Sequence, residues 1–258
     1  MTLRWEPDGP ARGEVALLHG VMALADTWWR IGPALAARGW RVAAIDLPGH
    51  AGDVRRDGAL DLDALAEGVA ARLDVRVDLM VGHSLGAIVA LELLARDREA
   101  ARAVVLEEPP GPGAIDLPAL AAVIAHDATA VRHDRAPLVA REREANPRWD
   151  PGDVERSVRG IEEADSDAIV AALNGSLRWD LVTLLAGVEV PTLVLAAPDA
   201  PGSFPLDPGS ALRGADREAV RRALAPERFV VVDGGHCLHR DDPARWLEAV
   251  DGFVSAAR

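Results

Sequence analysis

The chain has no lysine: all 28 of its basic residues are arginine. Schiff-base chemistry on a lysine side chain is thereby excluded. Cys237 is the single cysteine, so no internal disulfide can form. A structural zinc held by the usual two to four thiolates is excluded as well. Acidic residues outnumber basic ones, 41 to 28. The formal net charge is −13 with no basic cluster to offset it, which argues against a nucleic-acid partner. No apolar stretch reaches the roughly 18–20 residues that span a bilayer. Met1 to Pro10 is polar where a signal peptide would be apolar. The expected location is cytoplasmic, with no membrane partner, and a lone reduced thiol suits that compartment. No internal repeat of solenoid length is visible.

What is present is ordinary for a globular protein. Of the 258 residues, 49% are hydrophobic and 27% charged, enough for a sizeable core in one α/β domain carrying an insertion. The wealth of Ala, Arg, Gly and Val reads as coding bias. Short, nearly uniform apolar runs occur at Val15–Leu18, Arg41–Ile45, Val77–Val81, Ala103–Leu106, Thr192–Leu195 and Phe229–Val232, as for strands buried on both faces of a parallel sheet. Helical patterns fall near residues 25–38, 61–73, 85–96, 215–225 and 242–256. The alternation predicts a doubly wound, mostly parallel α/β sheet. After Leu106 the segment Glu107-Glu-Pro-Pro-Gly-Pro-Gly113 can continue neither helix nor central strand. Residues 114–186 then look wholly helical. The expected organisation is a core of 1–111 and 187–258 with a helical cap inserted at 112–186.

The strongest chemical signal is Gly82-His83-Ser84-Leu85-Gly86, between an apolar strand and an apolar helix. This is the context of a nucleophile elbow. The turn is sharp enough to need room at both glycines. It exposes the serine hydroxyl and aims a helix N-terminus, with the Leu85 N–H, at developing negative charge. The plain alternative is a serine capping a glycine-flanked helix. Upstream, His19-Gly20-Val21 ends an earlier strand, where the Val21 N–H can supply a second oxyanion donor and His19 reads as structural.

Three later segments could complete a serine site. His236, after Asp233-Gly234-Gly235, is the expected general base, with His239 as its neighbour and competitor. Cys237 reads as loop packing. Asp199 lies just past a strand, where an orienting carboxylate belongs, and it could equally form an Asx turn. Glu108 is the alternative acid. His126, His133 and Trp149 of the insertion either face the pocket or are surface and core residues.

Together these residues resemble the α/β-hydrolase superfamily over nearly the whole chain. The resemblance extends to Asp46-Leu47-Pro48-Gly49-His50 and to Trp28 and Trp29 in the region of the family's first helix. Where the family often continues Gly-His-Gly-x-Ser, this chain reads Gly49-His50-Ala51-Gly52-Asp53. Its acid-bearing loop, usually Gly-x-x-Asp, reads Ala197-Pro198-Asp199, one residue tighter. The resemblance implies the chain order Ser84, Asp199, His236, a lid formed by the inserted helices, and hydrolysis that needs no cofactor and no metal. The leading expectation is hydrolysis of a small carboxylic ester, lactone or related acyl compound. Two alternatives stand beside it. One uses the same residues for C–C bond hydrolysis or cofactor-free perhydrolysis. The other is a small-molecule receptor that binds its ligand and turns it over once or very few times.

Overall fold

The computed structural model describes residues 1–51, 60–205 and 209–256. Gly52 and Asp53 lie outside the described residues. The strands are β1 (Thr2–Trp5), β2 (Gly13–Leu18), β3 (Trp40–Ile45), β4 (Leu79–His83), β5 (Val104–Glu107), β6 (Thr192–Ala196) and β7 (Phe229–Val231). They form one seven-stranded sheet in the order β1-β3-β2-β4-β5-β6-β7. All neighbours run parallel except β1, which pairs antiparallel with β3. Every expected strand is present. β1 is the addition: a short, half-exposed edge strand in a stretch too polar to read as one.

The two-sided burial expected of the apolar runs is visible in the core. Ala16, Leu18, Met80, Val104, Leu106 and Val194 face one layer. Their chain neighbours Val15, Leu17, Leu79, Val81, Val105 and Leu193 face the other. This is the period of two that sends successive strand side chains to opposite faces. On the first face lie α2 (Leu62–Ala70) and α3 (Leu85–Arg96), which contributes Ile88 and Leu91. On the second lie α1 (Ile31–Ala36) and α11 (Pro243–Ala256), the latter through Trp246 and Val250.

Between β5 and β6 run α4 (Leu117–His133), α5 (Ala136–Ala145), α6 (Pro151–Glu163), α7 (Ser166–Asn174) and α8 (Leu181–Ala186). Three of the first four begin at an aspartate whose carboxylate caps the helix: Asp116, Asp150 and Asp165. Val131, Leu138 and Val158 form a small apolar cluster of their own between α4, α5 and α6. Helix α8 behaves differently. Its Leu181 and Leu185 are buried in the main core alongside α3 residues, so it serves as the crossover that feeds β6. After β6 come α9 (Gly214–Ala223), the short α10 (Leu238–Asp241) and α11.

The strand order fixes where a site can form. From β2 the chain first adds β3 on one side and then crosses to add β4 on the other. The crevice at the carboxyl ends of β2 and β4 is therefore a topological switch point, where open α/β sheets bind ligands.

Candidate active site

Ser84 occupies that crevice, at the junction of β4 and α3. Its backbone is in the left-handed region, φ 51° and ψ −117°, a conformation that costs a non-glycine residue on the order of 1–3 kcal/mol. Its side chain makes no capping hydrogen bond to α3. A serine that merely capped the helix would have extended backbone and would accept a bond from the first turn. The neighbouring glycines are sterically required. A Cβ at Gly82 would lie 2.3 Å from the Gly86 carbonyl oxygen, and one at Gly86 would lie 2.5 Å from that of Leu18. A Cβ at Gly20 would meet His83 Nδ1 at 2.8 Å and Ser84 Cβ at 3.2 Å. The β2 loop thus closes directly over the elbow, which brings Val21 to the same crevice as Ser84.

His236 lines this crevice as well. Its Nδ1 lies 3.3 Å from Glu108 Oε2, and its ring packs against Phe204 and His83 at centroid distances of 4.7 and 4.9 Å. The His83 ring holds the loop from beneath, with Nε2–H donating to the His236 carbonyl oxygen at 2.9 Å. Ser84 and His236 share one cavity without a hydrogen bond between their side chains. Such contacts are often loose in unliganded enzymes and tighten when substrate binds.

The carboxylate beside His236 belongs to Glu108 rather than to Asp199. Glu108 is fully buried, with φ +50°. Its Oε1 accepts from the Ala197 amide at 2.7 Å and the Ser210 hydroxyl at 2.8 Å, and its Oε2 accepts from the Ala211 amide at 2.6 Å. Four donors, with the histidine, over-determine its position and offset the strained backbone. Asp199 is exposed, and its carboxylate bonds the adjacent Ala200 amide. It lines a separate open surface groove with Arg213 and Asp216. The physical reason lies in the tight loop. The chain leaves β6 with the Ala197 amide tied to Glu108, and Pro198 and Asp199 then run outward.

His239 is set apart from the cavity. It is 2% exposed, with Nδ1 2.8 Å from Glu107 Oε1 and Nε2 3.1 Å from Thr27 Oγ1. Trp246 Nε1–H donates to the other Glu107 oxygen at 2.9 Å. Among the described residues, His83, Glu107 and His239 offer metal-ligand atoms within 4.8 Å of one another. Both Glu107 oxygens, however, are already taken by His239 and Trp246. Burial lowers the pKa of His83 and His239 and raises that of Glu107. His19 bridges two loops: its Nε2 accepts from the Leu47 amide and its Nδ1 meets the Gly20 carbonyl oxygen.

A family model described as the alpha/beta hydrolase family matches residues 15–249. The chain belongs to the α/β-hydrolase family. It is 28% identical over 237 residues, 89% of each chain, to a 2-succinyl-6-hydroxy-2,4-cyclohexadiene-1-carboxylate synthase of Klebsiella pneumoniae. It is 41% identical over 93 residues to a pimeloyl-[acyl-carrier protein] methyl ester esterase of Neisseria meningitidis, a match covering 36% of this chain and 35% of the relative. A thermophilic esterase from Thermogutta terrifontis superposes with a TM-score of 0.72 at 22% identity, covering 100% of this chain and 93% of that one. The E-2-(acetamidomethylene)succinate hydrolase superposes at 0.73 with 20% identity, covering 98% and 94%. At these identities the superpositions establish the fold alone.

The cavity of this α/β hydrolase is small, about 190 Å³, below the roughly 300–1,000 Å³ typical of drug-sized ligands. Its floor is Ser84, His236, Val21 and Met22, and its roof comes from the inserted helices through Leu120, Ile124, Asp127, Glu142 and Ile161. Trp149 faces it, while His126 and His133 are exposed. Cys237 also lines it, and burial pushes its thiol pKa up, away from the thiolate form. Sequence reasoning missed Phe204 and Arg240 on the cavity wall. No short-range pattern marks them, because each arrives from a loop or a one-turn helix.

Proposed function

We propose that this chain is a serine hydrolase that cleaves a small carboxylic ester, lactone or related acyl compound through an acyl-enzyme. The observation that carries the reading is the strained, uncapped Ser84 sharing a crevice with a histidine whose far nitrogen rests on the buried Glu108. With Nδ1–H directed at Glu108, His236 presents an unprotonated Nε2 to the serine. Nε2 takes the hydroxyl proton as Ser84 Oγ attacks the acyl carbon. The oxyanion then meets the Val21 and Leu85 amides at the N-terminus of α3. Collapse of the tetrahedral adduct expels the alcohol, which takes the proton from His236. A water molecule repeats the sequence and frees the acid. Glu108 orients the imidazole and stabilises its protonated form, the role the sequence favoured for Asp199.

The substrate is a small molecule, and the helices α4–α7 act as the lid that sizes it. A panel of p-nitrophenyl esters of increasing acyl length, with several lactones, tests the reading. Turnover should continue under excess substrate and fall sharply once the acyl chain outgrows the cavity. A single event per chain would favour a receptor. A second reading keeps the same residues for non-hydrolytic work, because the relative matched over 89% of this chain carries a synthase's name. Reaction in H₂¹⁸O separates the two: hydrolysis places one labelled oxygen in the acid product.

A further inference from the structure

Arg240 is 4% exposed yet lines the cavity that holds Ser84 and His236. Its Nε and Nη2 both donate to Thr27 Oγ1, at 3.1 and 2.6 Å. Its guanidinium plane lies over the Trp149 ring, 4.5 Å from the centroid. That ring is held in turn by Asp241 Oδ1, which accepts the indole N–H at 2.9 Å. These contacts fix the guanidinium without neutralising it. Among the described residues no carboxylate comes within ion-pair distance of Arg240, and its Nη1 makes no hydrogen bond.

The two carboxylates on the cavity wall, Asp127 and Glu142, share one cation that lies outside it, Arg141. Asp127 is gripped through both oxygens by Arg141, at 2.8 and 2.6 Å. Glu142 meets Arg141 at 3.4 Å and the Ser157 hydroxyl at 3.2 Å. Arg240 itself touches neither of them, and among the described residues it makes no ion pair. A buried charge is costly unless it is paired and hydrogen-bonded, and a planar fork is shaped to take a carboxylate. Its charge is also felt next door, where Arg240 adds to the burial that lowers the His239 pKa.

We propose that Arg240 is the anchor for an anionic group on the substrate, so that the acyl compounds this site takes best carry a free carboxylate. The proposal rests on the hydrolase reading for the reaction but not for the binding, and the two are measured separately. Ser84→Ala removes the nucleophile and leaves the cavity wall intact. Titration calorimetry of that variant compares monomethyl glutarate with methyl pentanoate, a neutral ester of similar length. The anion should bind at least about tenfold more tightly, and less so as salt is raised. Adding Arg240→Met should lower the ratio of the two affinities by roughly 10- to 100-fold, the scale of a charge-assisted hydrogen bond. Arg240→Lys, which keeps the charge but loses the fork, should retain part of the preference and shows whether the wall still folds. No preference for the anion, or equal weakening of both esters by Arg240→Met, would overturn the proposal and leave Arg240 a purely structural clamp on Thr27 and Trp149. Binding of monomethyl glutarate that persists while the native chain never turns it over would count against the hydrolase reading instead.

Discussion

Exchanging Glu108 for glutamine changes one atom in a site where every lone pair is assigned. Oε1 accepts from Ala197 N–H and Ser210 O–H, and Oε2 accepts from Ala211 N–H and meets His236 Nδ1. A glutamine must place its NH₂ on one side or the other. On the Oε2 side it opposes the Ala211 amide and forces His236 into the wrong tautomer. On the Oε1 side it opposes the Ala197 amide and keeps the tautomer, but removes the negative charge. Either way a buried backbone N–H loses its acceptor, which costs about 1–3 kcal/mol of stability. The acid-to-amide exchange in serine proteases costs about 10⁴-fold in turnover. Glu108→Gln should therefore lose on the order of 10³–10⁴-fold in kcat. Asp199→Asn, exposed and bonded only to its neighbour, should stay within about threefold, as surface changes away from the chemistry do. Parallel turnover numbers on p-nitrophenyl acetate, with thermal melts by circular dichroism to confirm folding, decide between them. A crippled Asp199→Asn beside a healthy Glu108→Gln would refute the assignment.

Four further outcomes follow from the same geometry. His236→Ala should lose nearly as much turnover as removal of the nucleophile. His239→Ala should stay within about tenfold in kcat but lose on the order of 2–4 kcal/mol of stability, since it opens a cavity and strands the buried Glu107; kinetics and urea melts on both variants test this. Burial lowers the pKa of His19, His83 and His239, so each binds fewer protons folded than unfolded. The stability each contributes is complete above its unfolded value of about 6.5 and falls as pH drops below it, by up to about 1.4 kcal/mol per pH unit. Glu107 and Asp241, whose pKa values burial raises, act in the opposite sense. The histidines begin to titrate in the unfolded chain first as pH falls, so the melting temperature should decline from pH 7 to pH 6, and a flat or rising profile there would contradict this. Cys237→Ser should keep most of its activity, because the raised thiol pKa leaves it protonated; complete loss in a folded variant would point to thiol chemistry.

The parts of the site legible in the sequence are those with short-range steric demands. Gly20, Gly82 and Gly86 each sit where a Cβ would strike backbone or the elbow itself, so the motif and its flanking strand and helix carry their own evidence. The paired glycines before His236 pointed to a tight loop at the sheet's edge, which is where it lies. The carboxylate beside it was not legible, because its position depends on where two loops go. Glu107 ends β5 and Glu108 follows it, and a left-handed backbone at Glu108 turns it toward His236 while Glu107 faces His239. Nothing in the residue types distinguishes them. The fold was read strand by strand wherever burial on both faces made the runs apolar. It failed at β1, whose half-exposed edge position tolerates Thr2 and Arg4. The sequence does not separate α8 from the helices before it, because all share the same amphipathic pattern, although Leu181 and Leu185 join the main core. Arg240 was invisible for a related reason: its place on the cavity wall, with no acidic partner among the described residues, exists only in three dimensions.

Covalent labelling tests most directly whether Ser84 is a nucleophile. Incubation with a fluorophosphonate should add one phosphonyl group, and peptide mapping should place it on Ser84. Ser84→Ala should remain unlabelled and lose up to about 10⁶-fold in turnover, the scale at which such a triad acts as one unit. Labelling of Ser84→Ala, or turnover retained without Ser84, would contradict the central claim.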